Sequence, residues 1–247
     1  MSEGKPKALV VGVGAKRGLG AALCRRFAHE GHHVIAVGRT PGRLDSLVAA
    51  ITAEGGSAEA IAADATSETD VIALFDKAMV DTAGAPLDLV VFNAGINKAQ
   101  DFRTLAAEDF EKFWRIGCFA GFLVGREAAR RLVPQGHGTI IFTGASGSLR
   151  GRPKFAAFAA AKSALRTVAQ AMAREFGPAG LHVAHVIIDG GIDGEWLKGA
   201  FPQMHADKGS DGLLDPDAIA DTYWQIHRQH KSAWTHELDL RPYKEGF

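Results

Sequence analysis

The feature that most constrains the fold is a regular alternation of short apolar runs with longer amphipathic segments. The runs are continuously hydrophobic, as parallel strands are when helices cover both faces of a sheet. They lie at 7–13, 33–38, 58–64, 87–95, 138–144 and 182–189. Helical patterns between them lie at about 18–30, 41–54, 67–83, 106–133, 155–177 and 215–229. The order predicts an α/β fold with a doubly wound parallel sheet.

The C-terminal segment from Ser232, "SAWTHELDLRPYKEGF", adds an expected edge strand, which gives a Rossmann-type sheet of about seven strands. No linker or internal repeat divides the chain, so we predict one domain over residues 1–247. Residues 194–214 are irregular, glycine-rich and polar with a few large apolar residues. A mobile substrate loop or lid over the site is expected there.

Charge and composition exclude several classes of partner. The 28 basic and 28 acidic residues balance, so neither nucleic acid nor an anionic membrane is an expected partner. No apolar run of 18 residues or secretory leader is present, and Cys24 and Cys118 are expected to be packing residues. We therefore expect a cytoplasmic protein.

A glycine-rich turn follows the first apolar run and opens directly into a helix. The stretch "GVGAKRGLG" places glycines at 12, 14, 18 and 20. Glycines at such a turn let backbone amides approach a pyrophosphate, and the helix N-terminus adds partial positive charge. In an N-terminal β-α-β unit this pattern predicts a dinucleotide site.

The end of the second apolar run favours NADP(H) over NAD(H). A ribose 2′-hydroxyl requires a carboxylate at this point, whereas a 2′-phosphate requires cations. Here the run ends with Gly38 and Arg39 and no acid, and the glycine loop contributes Lys16 and Arg17. A guanidinium suits a phosphate as a bidentate partner, although exposed arginines are also common on surfaces.

Four features, in this order along the chain, resemble the short-chain dehydrogenase/reductase family. They are the spacing Gly14-x-x-x-Gly18-x-Gly20, Asp64 after the third run, the tripeptide Asn93-Ala94-Gly95, and a helix that carries Lys162. The resemblance covers residues 7 to about 193, and the remainder fits the family's substrate loop, last helix and last strand.

The resemblance implies roles for individual residues. Asp64 would hold the adenine, Asn93–Gly95 would pass the adenosine ribose, and Lys162 would hydrogen-bond the nicotinamide ribose. Other cofactor positions that it implies are Leu19, Ala65, Gly190 and Ile192. It also implies a small-molecule substrate and a homotetramer or homodimer.

The catalytic positions of the family are changed in this chain. In the helix "FAAFAAAKSALR", Phe158 stands where the family has its proton-donating tyrosine, four residues before Lys162. Ala145 stands at the usual serine, with Ser146 and Ser148 close behind it. Gly117 or Cys118 aligns with the family's asparagine, and Asp189-Gly190 replaces a proline-glycine pair.

Three hypotheses follow, because a phenyl ring cannot donate a proton. In the first, hydride transfer to or from a small organic carbonyl or an activated C=C bond is retained. The proton comes from a non-standard donor, namely Lys162, Ser146 or Asp189 through a water, or the substrate needs no strong acid, as in conjugate reduction of an activated C=C bond. In the second, the chain is a non-catalytic dinucleotide-binding sensor or interaction protein. In the third, the pocket serves a non-redox isomerase or lyase. We favour the first.

Several further side chains allow two interpretations. Arg150, Arg152 and Lys154 either favour an anionic substrate or form a solvated basic loop. Large apolar residues of the irregular segment either line a substrate pocket or anchor the loop; they are Trp196, Phe201 and Met204. Histidines with no ligand partner at a suitable sequence spacing predict no metal site; they are His182, His185, His227 and His230.

Overall fold

The computed structural model describes residues 4–80 and 85–246. Its seven strands form one parallel sheet in the order β3-β2-β1-β4-β5-β6-β7, which confirms the predicted fold class. The strands are β1 Lys7–Val11, β2 His33–Gly38, β3 Ser57–Ala62, β4 Leu87–Phe92, β5 Gly138–Thr143, β6 Leu181–Ile188 and β7 Glu237–Leu240.

Helices connect the strands and cover both faces of the sheet. They are α1 Leu19–His29, α2 Pro41–Ala53, α3 Glu68–Met79, α4 Ala107–Trp114, α5 Ala120–Leu132, α6 Ala156–Phe176, α7 Glu195–Ala200, α8 Pro202–Lys208 and α9 Pro216–His227. Two cores result, one around Phe27 and Tyr223 on the α1–α9 face and one around Phe75, Phe92 and Phe142 on the other. The strand order reverses between β1 and β4, where an α/β sheet opens a crevice for ligands.

Three predictions of secondary structure differ from the structure. The helix predicted at 106–133 is interrupted by a π-helical turn at Arg115–Phe119, which separates α4 from α5. The segment 194–214 contains α7 and α8 instead of an irregular loop. The helix predicted at 67–83 ends at Met79, and residues 81–83 lie outside the described residues.

Within the described ranges, none of the helices has the length and apolarity needed to cross a membrane. Cys24 and Cys118 are both buried free thiols, as expected of packing residues. Burial raises the pKa of both thiols, which keeps them protonated.

Candidate functional site

A cavity of about 620 Å³ opens at the carboxyl ends of the central strands. Its volume lies in the range of small-molecule and cofactor pockets. The structure brings almost all of the sequence-predicted cofactor residues onto its wall: Gly14, Arg17, Gly18, Leu19, Gly20, Arg39, Asp64, Ala65, Asn93, Ala94, Gly95, Lys162, Gly190 and Ile192. Lys16 is not on the wall. Its carbonyl oxygen accepts a hydrogen bond from the Arg25 guanidinium.

The glycine loop is packed against the end of β4 on one side and faces the open cavity on the other. The Asn93 side-chain amide donates to the Gly12 carbonyl oxygen at 3.1 Å, which ties the end of β4 to the loop after β1. A Cβ at Gly20 would lie 2.8 Å from the same oxygen, so α1 begins in close contact with the loop. A Cβ built at Gly14 meets no atom within 4 Å. Gly14 therefore borders free space on the cavity side of a rigid loop.

Asp64 is held in one orientation at the end of β3. Its Oδ1 accepts hydrogen bonds from the Thr66 backbone amide at 2.9 Å and from the Thr66 hydroxyl at 2.8 Å. The backbone hydrogen bond is the largest cause of its lowered pKa, and Arg39 adds to the effect. The carboxylate is thus a fixed acceptor on the cavity wall.

The segment after β6 is fastened to the glycine loop through Arg17. The Arg17 backbone amide donates to the Glu195 carboxylate at 2.9 Å, and its guanidinium donates to Asp193 at 2.8 Å. Of the apolar residues singled out in this segment, Trp196 lines the cavity, whereas Phe201 and Met204 do not. Phe201 instead packs edge-on against Trp196.

Lys162 reaches the cavity from α6 as a buried amine. Its Nζ donates to the Thr143 carbonyl oxygen at 2.7 Å, and its side chain is 5% exposed. Burial lowers its pKa to about 8. An amine with this pKa is partly neutral near neutral pH, whereas an exposed lysine is almost completely protonated.

Phe158 lies one turn before Lys162 on α6 and lines the same cavity. Its ring packs against Gly147, where a Cβ would meet ring carbons at 2.9 and 3.0 Å. Ser146 also lines the cavity, on the short helical turn that follows β5. The cavity wall therefore combines an amine, a hydroxyl and an apolar ring around one small region.

A buried chain of polar side chains behind this wall was missed by the sequence analysis. Ser148 Oγ lies 3.4 Å from His185 Nε2, and His185 Nδ1 lies 2.9 Å from Glu237 Oε2. Both carboxylate oxygens of Glu237 accept hydrogen bonds from Arg166 at 2.7 Å. Burial lowers the pKa of His185 to about 4, so the imidazole is neutral at physiological pH.

This chain supports the loop that carries Ser146. The Ala145 amide donates to Ser148 Oγ at 3.2 Å, and a Cβ at Gly144 would collide with the His185 ring. The contacting residues are far apart in the sequence and lie on different elements, so no local pattern could have revealed them. Only the β5·β6·β7 register places them side by side.

The structure places Asp189, one of the predicted proton donors, away from the cavity wall. It is buried, it is absent from the cavity wall, and its carboxylate pairs with Arg150 at 3.2 Å and Arg241 at 3.1 Å. Two guanidinium partners make this carboxylate an acceptor that anchors the ends of β6 and β7. The pairing also uses Arg150, which the sequence offered for an anionic substrate.

Gly117, one of two residues predicted to align with the family's asparagine, packs closely against α6. Gly117 lies in the π-helical turn between α4 and α5, a local geometry often found at functional sites. A Cβ at Gly117 would lie 2.9 Å from the Ala161 Cβ of α6. The two helices are too close there for any larger side chain.

Two of the four histidines lie near carboxylates that the sequence spacing does not reveal. His185 Nδ1 lies 2.9 Å from Glu237 Oε2, and His227 Nε2 lies 3.8 Å from Asp88 Oδ2. The second pair joins α9 to β4 at the end of the sheet opposite the cavity.

Comparisons with known proteins agree with this geometry. A family model described as short chain dehydrogenase matches residues 7–204. A short-chain dehydrogenase/reductase of Armillaria gallica is 36% identical over 179 residues, which make up 71% of this chain and 67% of that protein.

Solved structures show the same relationship. The crystal structure of a short-chain dehydrogenase from Rhodopseudomonas palustris has 41% sequence identity and a TM-score of 0.81, covering 96% of this chain and 99% of that one. A metagenomic short-chain oxidoreductase in complex with NADP shares the fold, with a TM-score of 0.81, 24% identity and 97% coverage of both chains. Since the family model spans most of the chain and close relatives agree, the chain belongs to the short-chain dehydrogenase family of oxidoreductases.

Proposed function

We propose that this protein is an NADP(H)-dependent oxidoreductase that transfers hydride to or from a small organic carbonyl or an activated C=C bond. One observation carries the proposal: a single cavity joins the glycine loop and Arg39 at one end to Lys162 and Ser146 at the other. The start of α1 would hold the phosphates of a dinucleotide, and Lys162 would hold its reactive end.

The residues present fit such a cofactor. The free space at Gly14 leaves room for a pyrophosphate against backbone amides. The Asp64 carboxylate is a fixed hydrogen-bond acceptor for the adenine base. Bound NADPH would supply the hydride in reduction, and NADP would accept it in oxidation. Lys162 would bind the nicotinamide ribose, since its amine lies on the wall near Gly95.

The preference for NADP(H) rests on charge. Arg39 follows directly after β2 on the cavity wall, and Arg17 lies on the wall of the glycine loop. Both guanidinium groups can pair with a 2′-phosphate, and no acid stands at the end of β2 to accept a 2′-hydroxyl. The metagenomic relative was solved in complex with NADP, which agrees with this preference.

The proton would come from Lys162 in place of the family's tyrosine. Phe158 occupies the tyrosine position and has no exchangeable proton, whereas the Lys162 ammonium has a pKa of about 8. In carbonyl reduction, bound NADPH would supply the hydride to the substrate carbon, and Lys162 would give its Nζ proton to the substrate oxygen. Ser146, the serine of its loop that lines the cavity, would donate a hydrogen bond that orients the substrate oxygen.

Residues 194–214 would cover the substrate as a lid within a single domain. Trp196 and Leu197 line the cavity and give its outer end an apolar surface. We further propose a cytoplasmic homodimer or homotetramer. A stacked aromatic pair, Trp114 and Phe119, and the 40% exposed Phe122 form an apolar strip that a second subunit would bury. The strip runs from the end of α4 through the π-helical turn to the start of α5.

Cofactor binding is the first test. The purified protein is titrated with NADPH and with NADH, and the fluorescence of the bound nicotinamide is followed. We expect NADPH to bind more tightly. Tighter binding of NADH would contradict the cofactor assignment, and binding of neither would contradict the oxidoreductase proposal.

Turnover is the second test, with NADPH consumption screened against ketones, aldehydes and enones. Phe158→Tyr restores the hydroxyl on the cavity wall, and Phe155→Tyr is its control, because Phe155 begins the same helix outside the cavity. With Lys162 as proton donor, Phe158→Tyr gains little activity. A large gain from Phe158→Tyr alone would contradict the relocated proton donor and indicate a latent carbonyl reductase. NADPH binding without turnover of any substrate class favours a dinucleotide-binding sensor.

A further inference from the structure

Three potential metal ligands meet at the end of the sheet opposite the dinucleotide cavity. His32 precedes β2, Asp88 is the second residue of β4, and His227 is the last residue of α9. Their ligand atoms all lie within 4.8 Å of one another. The proposed hydride transfer belongs to the cavity at the carboxyl ends of the strands, so this cluster has no part in it.

The distances suit a shared ion. His32 Nε2 lies 3.0 Å from Asp88 Oδ1, and His227 Nε2 lies 3.8 Å from Asp88 Oδ2. Ligands of a tetrahedral zinc ion, with bonds near 2.0–2.1 Å, stand about 3.3 Å apart. Small side-chain rotations therefore suffice to enclose an ion between the two imidazoles and the carboxylate.

The backbone aims these groups at one another. The β1·β4 register shifts between Lys7 and Ala8, so that Asp88 is the extra residue of a bulge. A bulge redirects a side chain that would otherwise follow the strand's alternation. The His32 side chain is 4% exposed and that of His227 is 12% exposed, so the cluster is largely protected from bulk water.

An outer hydrogen bond orients His227, and the Trp224 ring packs against both imidazoles. His227 Nδ1 lies 2.9 Å from the hydroxyl of Thr139 on β5, which leaves Nε2 facing Asp88. Histidines that bind metals usually engage their second ring nitrogen in this way. The Trp224 ring packs edge-on against His32 at 5.5 Å and beside His227 at 5.3 Å, which restricts both imidazoles.

The cluster also has an open side. A cavity of about 170 Å³ reaches Asp88 and His227, and its wall continues to His137, His182 and Trp234. Water or a small ligand can enter from this cavity and complete the coordination of a bound ion. Lys231 on the same wall gives an anionic ligand a nearby partner.

We propose that His32, Asp88 and His227 bind one divalent transition-metal ion of the zinc type, with a fourth ligand supplied from the adjoining cavity. Two imidazoles and one carboxylate favour zinc, cobalt or nickel over magnesium and calcium, which require mostly oxygen ligands. The ion joins α9 to β4 and to the turn before β2. Binding therefore stabilises the folded chain, since the unfolded chain does not hold the three ligands together.

Zinc titration of the tag-free, chelator-stripped full chain tests the proposal. Calorimetry should show one saturable site, cobalt should give the absorption spectrum of a low-coordinate site, and magnesium should not compete. Asp88→Asn and His227→Gln should each weaken zinc binding by about 100-fold or more. Thr139→Val should weaken it by about 10-fold through loss of the contact that positions His227. His29→Gln is the matched control, because the His29 side chain is 84% exposed.

Circular dichroism and NADPH binding verify that each variant is folded independently of metal. If Asp88→Asn does not fold, His227→Gln decides the outcome by itself. Weak, unsaturable zinc uptake overturns the proposal. Equal stoichiometric binding in the wild type and in His227→Gln overturns it as well, because exposed histidines then account for the uptake.

Discussion

Arg17 and Asp193 form an ion pair, with 2.8 Å between Nη2 and Oδ2, that joins the glycine loop to the segment after β6. The Asp193 carboxylate also accepts from His205, whose Nε2 lies 2.7 Å from Oδ1, and this hydrogen bond is the largest cause of its lowered pKa. The carboxylate thus pairs with the guanidinium that we propose for the 2′-phosphate of NADP(H). If Arg17 has that role, Asp193 would compete with the cofactor for it.

The first prediction follows from this competition. Asp193→Asn should tighten NADPH binding by about two- to fivefold. This is the gain in affinity expected when Arg17 no longer has to leave an exposed ion pair to bind the cofactor. NADH binding should change little, because NADH has no 2′-phosphate. Fluorescence titrations at low salt measure both affinities. Asp207→Asn, on α8, is the control; an equal gain for NADH would point to loosening of the lid instead.

The second prediction uses two glycines to distinguish a loss of cofactor binding from a loss of folding stability. Gly14→Val should keep the wild-type melting temperature and lose NADPH binding, because its side chain enters empty cavity space from a backbone outside the left-handed region. Gly20→Ala should lower stability by about 1–3 kcal/mol, because its Cβ lies 2.8 Å from the Gly12 carbonyl oxygen. Thermal melts and NADPH titrations on both variants distinguish the two effects. Retained NADPH binding in Gly14→Val would place the pyrophosphate elsewhere.

The third prediction concerns the pH dependence that Lys162 imposes. Its pKa is about 8 in the folded protein and about 10.5 when exposed, so between these values the unfolded chain binds the extra proton. The free energy of unfolding of the wild type should therefore rise with pH over this window, by at most about 3 kcal/mol. Urea denaturation at several pH values measures the rise.

Lys162→Met should lack that rise, because methionine does not titrate. Lys98→Met, at an exposed position, should follow the wild type. Parallel pH profiles for the wild type and Lys162→Met would show that the Lys162 amine is not desolvated. The same result would remove the basis for its role as proton donor.

The sequence predicts those parts of the molecule that arise from local patterns. Apolar runs and glycine spacing locate the sheet, the loop at Gly14 and the helix of Lys162, because each depends on neighbouring residues. It does not predict the pairing of Arg17 with Asp193 or of His185 with Glu237, which join distant segments. For the same reason Asp189 is a plausible proton donor from the sequence alone, because its partners Arg150 and Arg241 lie far from it along the chain.

The last prediction concerns acid stability and the buried chain behind the cavity. Burial holds the pKa of His185 at about 4, against 6.5 for the exposed residue, so between these values the unfolded chain binds the extra proton. The wild type should lose stability as pH falls from 6.5 to 4, by about 3 kcal/mol from this residue. His185→Phe should be less stable at pH 7, because Ser148 and Glu237 lose their partner, and it should show a shallower loss in acid.

Ser148→Ala tests the cause of that slope. It removes a hydrogen bond to His185 but keeps the imidazole, so its stability should be lower at every pH while its acid slope matches the wild type. Chemical denaturation between pH 4 and 7.5 measures all three proteins. A wild-type slope in His185→Phe would assign the acid sensitivity to other groups, such as His227, whose pKa burial also lowers to about 4. The two histidines lie on different elements, β6 and α9, and form hydrogen bonds with different residues, so their contributions should add in a double variant.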